Sequence, residues 1–199
     1  MADLAAATIG TTVNPYSCHD PALDRPGGAA IRCENLRRHL AERHRPALLL
    51  VGEAPSYRGC RFSGVAFTSE RTLPPAAWSS THPRGWTEPS ATIVQRVLRT
   101  LEIEHRTMLW NAVPTHPSDD RPLSNRPPTR SELDAGLVWL DRLIALVRPE
   151  AVVAVGRSAE SVLPGQPAVR HPANGGARLF ADQLAAIAAG IGVATRAEP

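Results

Sequence analysis

The chain has 199 residues, of which 43% are hydrophobic and 21% charged, which excludes a disordered or fibrous protein and fits one globular domain over residues 1–199. No apolar run approaches the roughly eighteen residues that would cross a membrane, and the first residues lack the features of a secretory signal, so we expect a cytoplasmic protein. The formal net charge of +3 permits binding to nucleic acid without requiring it.

Four short apolar segments predict β-strands. They cover residues 47–51, 108–113, 151–155 and 168–170. The first and third are apolar throughout, which is typical of strands that are covered on both faces of a parallel sheet.

Amphipathic helices are predicted around these strands. Apolar residues recur at helical spacing over residues 29–43, 91–101, 133–147 and 177–190. Thr129 and Glu132 have the spacing of a capping box at the start of the third of these helices. Helices that alternate with buried strands predict an α/β fold, a three-layer αβα sandwich around a four-stranded parallel sheet.

Two long segments, residues 54–90 and 114–128, interrupt this pattern and are rich in Pro, Gly, Ser and Arg. Loops of this length inside a compact domain are usually functional. Both segments directly follow predicted strands, so both should emerge at the carboxyl edge of the sheet, where open α/β folds bind their ligands.

Chemically useful residues stand where predicted strands end. Gly52 follows the first strand, and a glycine there lets the backbone turn sharply and approach a ligand closely. Asn111 lies inside an apolar strand, where its amide could read a nucleobase edge or could satisfy neighbouring backbone groups. His171 follows the fourth strand and precedes Pro172, and a histidine there could be structural or catalytic.

The basic residues and cysteines narrow the chemistry further. All 22 basic residues are arginines, so no side-chain amine can form a Schiff base. The three cysteines, Cys18, Cys33 and Cys60, are too few for the usual four ligands of an iron–sulfur cluster or a closed zinc site. We therefore expect no metal and no cofactor.

Five segments, in order over roughly residues 47–190, resemble motifs of the uracil-DNA glycosylase superfamily, and especially of its fourth family. They are Gly52-Glu53-Ala54-Pro55, similar to G-E-A-P-G; the Asn111 strand, similar to L-x-N-A-V; residues 125–129, similar to N-R-x-P-T; residues 148–156, similar to R-P-x-x-V-V-x-L-G; and His171-Pro172-Ala173, where the family has H-P-S. Each motif is only moderately specific, but five in order are a strong match.

The resemblance implies a monofunctional uracil-DNA glycosylase, an enzyme of base excision repair that flips uracil out of DNA and hydrolyses the N-glycosidic bond to leave an abasic site. Asn111 would read the uracil edge, His171 would donate a hydrogen bond to uracil O2, and Glu53 would orient the attacking water. The implied partner is DNA that contains uracil, and we expect a monomer because the glycosylases that the chain resembles work alone.

The resemblance also implies which residues hold the base, and the position of arginines near the carboxyl edge of the sheet suggests which residues contact DNA. Phe67 would stack on the flipped base, with Phe62 as the competing candidate. The remaining base-binding groups would be the residues of the first motif and its neighbour, Gly52, Ala54, Pro55 and Ser56. Candidates for contacts with DNA, each of which could equally be a solvated surface charge, are Arg58, Arg61, Arg84, Arg126, Arg170 and Arg178.

Several departures from the family pattern keep other functions open. Ala54 stands where the first family has a catalytic Asp, Ser56 stands where it has a Tyr that excludes thymine, and the fourth family's cluster cysteines have no counterpart. One alternative is a glycosylase for other damaged bases, such as hypoxanthine or 5-hydroxymethyluracil. Another is a non-catalytic binder of damaged DNA or a nucleotide, although such a binder has no need for a donor like His171.

Overall fold

The computed structural model describes residues 1–119, 121 and 123–193. At its centre lies a parallel four-stranded sheet with the strand order β2-β1-β3-β4. The strands are β1 (Leu48–Gly52), β2 (Thr107–Asn111), β3 (Ala151–Val155) and β4 (Ala168–Val169). The four predicted strands are therefore present, with small shifts at their ends.

Seven α-helices occur in the described residues. They are α1 (Ala2–Ala5), α2 (Gly28–Glu42), α3 (Cys60–Ser63), α4 (Pro89–Thr100), α5 (Arg130–Val147), α6 (Arg157–Val162) and α7 (Ala177–Gly190). Short 3-10 helices add Glu70–Thr72, Pro75–Ala77 and Glu104–Arg106. The sequence pattern predicts α2, α4, α5 and α7 but not α1, α3 and α6, because helices of four to six residues are too short to display a periodicity.

The strands direct alternate side chains into two hydrophobic cores. On one face of the sheet, Leu50 of β1 belongs to the same fully buried cluster as Phe180 of α7. On the other face, Leu49 of β1 belongs to the cluster that contains Leu140 of α5. Burying such a side chain contributes about 1.5–3 kcal/mol. Because both faces of the sheet are covered by helices, the predicted three-layer αβα sandwich is confirmed.

The predicted capping box at the start of α5 is formed. Thr129 Oγ1 accepts a hydrogen bond from the backbone N–H of Glu132 at 3.2 Å, and a carboxylate oxygen of Glu132 accepts from the backbone N–H of Thr129 at 2.8 Å. These bonds satisfy N–H groups that the first turn of a helix leaves without partners. The box fixes the point at which residues 114–128 end and α5 begins.

The sheet topology sets the place of a ligand site. The chain passes from β1 to β2 on one side and from β3 to β4 on the other, so the strand order reverses between β1 and β3. Open α/β sheets bind ligands in the crevice at the carboxyl ends of such strands. Among the described residues, none of the helices combines the length and the apolar character needed to span a bilayer.

Candidate active site

A cavity of about 300 Å³ opens at the carboxyl edge of the sheet. Its lining comes from the segments that follow β1, β3 and β4 and from the end of β2. Among the lining side chains are Glu53, Phe67, Glu88, Asn111, Arg157 and His171. The structure therefore brings together the residues at the ends of β1, β2 and β4 that the sequence singles out.

Gly52 allows an aromatic ring and an amide to meet at the floor of this cavity. The residue pairs with Asn111 in the register of β1 and β2. A Cβ atom at Gly52 would lie 2.6 Å from Cζ of Phe67 and 2.8 Å from Oδ1 of Asn111, closer than real Cβ contacts occur. Glycine at this position is thus required for the approach of Phe67 and Asn111.

Phe67, and not Phe62, is the aromatic residue of the cavity. Phe67 lines it and adopts a left-handed backbone conformation with φ of 48°. Its carbonyl accepts a hydrogen bond from Nε2 of Gln95 at 3.0 Å, which anchors this turn to α4. Phe62 is fully buried and stacks on Trp86 with ring centroids 5.5 Å apart, so it serves as a packing residue.

Asn111 presents an unused amide to the cavity. Its side chain is only 6% exposed, yet the amide has no hydrogen-bond partner within the described part of the chain. Buried polar groups are nearly always hydrogen-bonded, so an exception in a cavity wall calls for a ligand. The alternative interpretation, in which the amide bonds to neighbouring backbone groups, does not fit this arrangement.

His171 is held as a neutral donor. Its Nδ1 accepts a hydrogen bond from the backbone N–H of Ala173 at 3.2 Å, which leaves the proton of the neutral ring on Nε2. Burial lowers the pKa of His171 below its usual value of 6.5, although the carboxylate of Glu88 acts in the opposite direction. The lowered pKa favours the neutral ring at pH 7, so Nε2–H is a donor without a positive charge.

Hydrogen bonds from the second long segment hold the first motif in place. The carbonyl of Pro55 accepts a hydrogen bond from Nδ1 of His116 at 2.7 Å. The backbone N–H of Tyr57 donates to Oδ1 of Asn125 at 2.9 Å. Because His116 is buried, its pKa lies below 6.5, which favours a neutral ring that donates from Nδ1. His116 is thus a positioning residue of this loop that the sequence reasoning does not identify.

Two polar groups beside the first motif lack partners in the described structure. The hydroxyl of Ser56 is buried and makes no hydrogen bond. Glu88 also lines the cavity, and its Oε2 makes no hydrogen bond within the described residues, whereas its Oε1 accepts from the hydroxyl of Ser90 at 2.5 Å. Glu88 lies in an irregular stretch before α4, and no feature of the sequence distinguishes it there from other surface carboxylates.

Two of the arginines that were expected to contact DNA bond to carboxylates within the protein. Arg61 is buried and bonds to the carboxylate of Asp24 at 3.2 and 3.3 Å, so it is an interior residue. Arg126 lines the cavity but bonds to both carboxylate oxygens of Glu132 at 2.7 Å, and these bonds hold the pKa of Glu132 at about 2. Its guanidinium also donates to Thr11, Ser118 and Pro127, so each of its nitrogens is already bonded within the protein.

The other expected arginines are exposed. The guanidinium of Arg58 lies 5.2 Å from the ring centroid of Tyr57, and Arg178 pairs with Asp182 on the surface of α7 at 3.6 Å. Arg84 is exposed, as is Arg170, beside the cavity residue His171. Arg157, which the sequence reasoning does not identify, lines both the cavity and a neighbouring groove that also contains Arg170. Arg157 and Arg170 therefore form a positively charged margin along one side of the cavity.

No three His, Cys, Asp or Glu side chains of the described residues gather where they could hold a metal ion. The thiol of Cys60 lines the cavity, but burial raises its pKa well above the usual value, so it is a protonated, unreactive group at neutral pH. Within the described part of the chain, the other polar side chains that line the cavity are two amides, an imidazole, two carboxylates, two hydroxyls and two guanidiniums.

A comparison of the sequence with protein families agrees with this fold and this cavity. The family model of the uracil DNA glycosylase superfamily matches residues 41–189. The chain belongs to the uracil DNA glycosylase superfamily.

A solved structure with the same fold agrees with this family. The crystal structure of wild-type SMUG2 from Pedobacter heparinus is similar to this chain with a TM-score of 0.66, over 94% of this chain and 91% of that one, at 11% sequence identity. The comparison with curated proteins finds no match. Glycosylases of this superfamily act on DNA and hydrolyse N-glycosyl bonds, and membership assigns the chain to that class of enzymes.

Proposed function

We propose that the protein is a monofunctional uracil-DNA glycosylase, which removes uracil from DNA and leaves an abasic strand. The observation that carries the proposal is a pair of free hydrogen-bonding groups in one cavity, the amide of Asn111 and Nε2–H of His171, next to the ring of Phe67. An amide can donate and accept at the edge of uracil, and an aromatic ring can stack on a flipped base.

The chemistry of the reaction explains why a neutral histidine suits this cavity. Breaking the N-glycosidic bond moves its electrons onto the base, so negative charge develops on uracil O2 while the sugar becomes oxocarbenium-like. His171 would donate a hydrogen bond to O2 in the transition state. A donor placed where charge develops contributes about 10²–10³ in rate. Water then adds to C1′ of the sugar and loses a proton.

The composition of the chain supports hydrolysis without strand cleavage. A glycosylase that also cuts the strand forms a Schiff base, and this chain has no lysine to supply the amine. The expected product is therefore an intact strand with one abasic site. Arg58, Arg157 and Arg170 are exposed near the cavity and could contact phosphates, in which case binding would weaken steeply with salt.

One observation favours a second candidate function, removal of other damaged bases. Ala54 and Ser56 are small side chains in the cavity lining, and neither could exclude a substituted base as a bulky ring would. Hypoxanthine and 5-hydroxymethyluracil are the substrates to compare with uracil. A binder without catalysis would differ from both enzymes because it would release no base.

The test is an incision assay with the purified chain. Labelled oligonucleotides carrying uracil, either single-stranded or opposite G or A, are incubated with the protein and then treated with alkali. Duplicate samples without alkali report any strand cleavage by the protein itself. Hypoxanthine and 5-hydroxymethyluracil substrates run in parallel, as do the Asn111→Ala and His171→Ala variants.

We expect alkali-dependent cleavage at uracil that falls about 10²-fold or more in each variant. Cleavage only at hypoxanthine or 5-hydroxymethyluracil would support the second candidate function in place of the first. If the folded protein binds these oligonucleotides but removes no base, both enzymatic functions are contradicted and the non-catalytic binder is supported.

A further inference from the structure

Glu88 occupies a fixed position in the cavity wall. It is the residue that precedes α4, and Pro89 follows it as the first helical residue. Its backbone N–H donates to the hydroxyl of Ser69 at 2.8 Å, and its Oε1 accepts from the hydroxyl of Ser90 at 2.5 Å. One carboxylate oxygen and the main chain are therefore held by the protein, while Oε2 is left for something else.

The free oxygen of Glu88 and the hydroxyl of Ser56 both lie beside Gly59. A Cβ atom at Gly59 would collide with Oε2 of Glu88 and would lie 3.1 Å from Oγ of Ser56. Neither oxygen has a partner in the described structure, and the hydroxyl is buried. A carboxylate oxygen without a partner in a cavity wall is suited to accept a hydrogen bond from a water molecule or a ligand hydroxyl.

The carboxylate of Glu88 also acts electrostatically on His171, the side chain that would face the base. Of the charges that act on His171, Glu88 has the largest effect, and it raises the pKa of this histidine more than Glu53 does. Glu88 is thus close enough to the reacting centre to influence it. A negative charge there would also stabilise a cationic sugar.

The reaction needs an acceptor for one proton. When water forms its bond to C1′ and the bond between C1′ and the base breaks, the electrons of the broken bond leave with the base and the water gives up a proton. Ala54 follows Glu53 in the first motif, so no Asp stands there to take it. Among the described residues, the carboxylates that line the cavity are Glu53 and Glu88, so the acceptor is one of these two.

We propose that Glu88 is a catalytic residue, whose Oε2 holds the attacking water and accepts its proton. This inference rests on the proposed function. It assigns the water to Glu88 in place of Glu53, which the family resemblance would choose. The proton returns from Glu88 to solvent after the base has left.

The test compares Glu88→Gln, Glu88→Ala and Glu53→Gln with the wild type in single-turnover assays on a uracil oligonucleotide. Glu160→Gln is the matched control, because Glu160 is an exposed carboxylate in the neighbouring groove and not in the cavity. Sodium formate is added to each Ala and Gln variant, since a small carboxylate can replace a missing proton acceptor but cannot repair a structural defect. Binding to the oligonucleotide and circular dichroism show that each variant is folded.

We expect Glu88→Gln to lose about 10²–10⁴ in rate while still binding DNA. We also expect formate to restore part of the rate of Glu88→Ala and to leave Glu160→Gln unaffected. A wild-type rate in Glu88→Gln, beside an inactive Asn111→Ala, would overturn this inference and leave the proposed function intact. A slow Glu88→Ala that formate does not rescue would also overturn it. A wild type that removes no uracil would instead refute the proposed function.

Discussion

Two groups of buried polar side chains differ in whether their hydrogen bonds are satisfied. In the first, Asp24 accepts from the guanidiniums of Arg32 at 3.0 Å and Arg61 at 3.2 Å, and Arg32 also donates to Ser79 at 2.9 Å. We refer to these four residues as the interior network. In the second group, at the cavity, the amide of Asn111 has no partner in the described structure.

This difference predicts which buried side chains support stability and which support function. Each bond of the interior network contributes to folding, and together these bonds tie residues 24–32 to residues 61–79. The amide of Asn111 makes no such bond in the described structure and lies in the cavity wall, where it is available to a ligand. A polar side chain of the interior network should therefore matter for stability. A polar side chain of the cavity should matter for catalysis.

The largest effect on stability should follow from Asp24→Asn, which leaves two buried guanidiniums without a negative charge. We expect a loss of about 3–5 kcal/mol in the free energy of unfolding, measured by urea denaturation. Glu34→Gln is the matched control, because Glu34 also bonds to two arginines, Arg37 and Arg38, but at the surface. Its loss should be much smaller, because ion pairs at the surface contribute little to stability. Equal losses in the two variants would contradict the role of the interior network.

Asn111→Ala should show the opposite behaviour. The single-turnover rate should fall by about 10²–10³, which corresponds to about 2.7–4 kcal/mol of transition-state stabilisation. The free energy of unfolding should be unchanged or slightly higher, since the variant removes an amide that makes no hydrogen bond in the described structure. A variant that loses stability as well as rate would show that the amide has a structural partner.

Much of the fold could be predicted because it depends on local pattern. The apolar runs of β1 and β3 and the periodicity of α7 are properties of short stretches, and Thr129 with Glu132 forms the capping box that its spacing predicts. The meeting of Asn111 and His171 also follows from pattern, since the carboxyl ends of parallel strands lie along one edge.

The sequence could not predict which residues of the long segments turn inward. Arg61 is buried by a bond to Asp24, 37 residues earlier, and Arg126 is held by Thr11, 115 residues earlier. Glu88 reaches the cavity because Gly59 leaves space for its carboxylate. Such pairings depend on how irregular segments fold back on the domain, and no local periodicity encodes them.

The pH dependence of stability should test His39, another buried side chain whose hydrogen bond is formed within the protein. Its Nε2 accepts a hydrogen bond from the backbone N–H of Leu109 at 3.0 Å, and burial lowers its pKa from 6.5 to about 3. Because the unfolded chain binds this proton first, the contribution is complete above about pH 6.5 and is lost as the pH falls toward 3. The slope is at most about 1.4 kcal/mol for each pH unit.

His39→Gln is the variant that isolates this slope. Glutamine can still accept a hydrogen bond from Leu109 but does not titrate in this range, so its stability should fall less between pH 6.5 and 4 than that of the wild type. Urea denaturation at several pH values measures the difference, and the other buried histidines contribute equally to both proteins. Parallel curves would show that His39 is not neutral in the folded state.

The smallest effects should come from two buried serines that differ only in their partners. Oγ of Ser79 donates to the carbonyl of Phe62 at 2.7 Å and accepts from Arg32, whereas Oγ of Ser56 has no partner in the described structure. Ser79→Ala should therefore lower the free energy of unfolding by about 1–3 kcal/mol, and Ser56→Ala should leave it unchanged. Both variants should retain the single-turnover rate, because neither hydroxyl is open to solvent. A loss of stability in Ser56→Ala with an unchanged rate would place Ser56 among the structural serines, and the division between the interior network and the cavity would then fail at this residue.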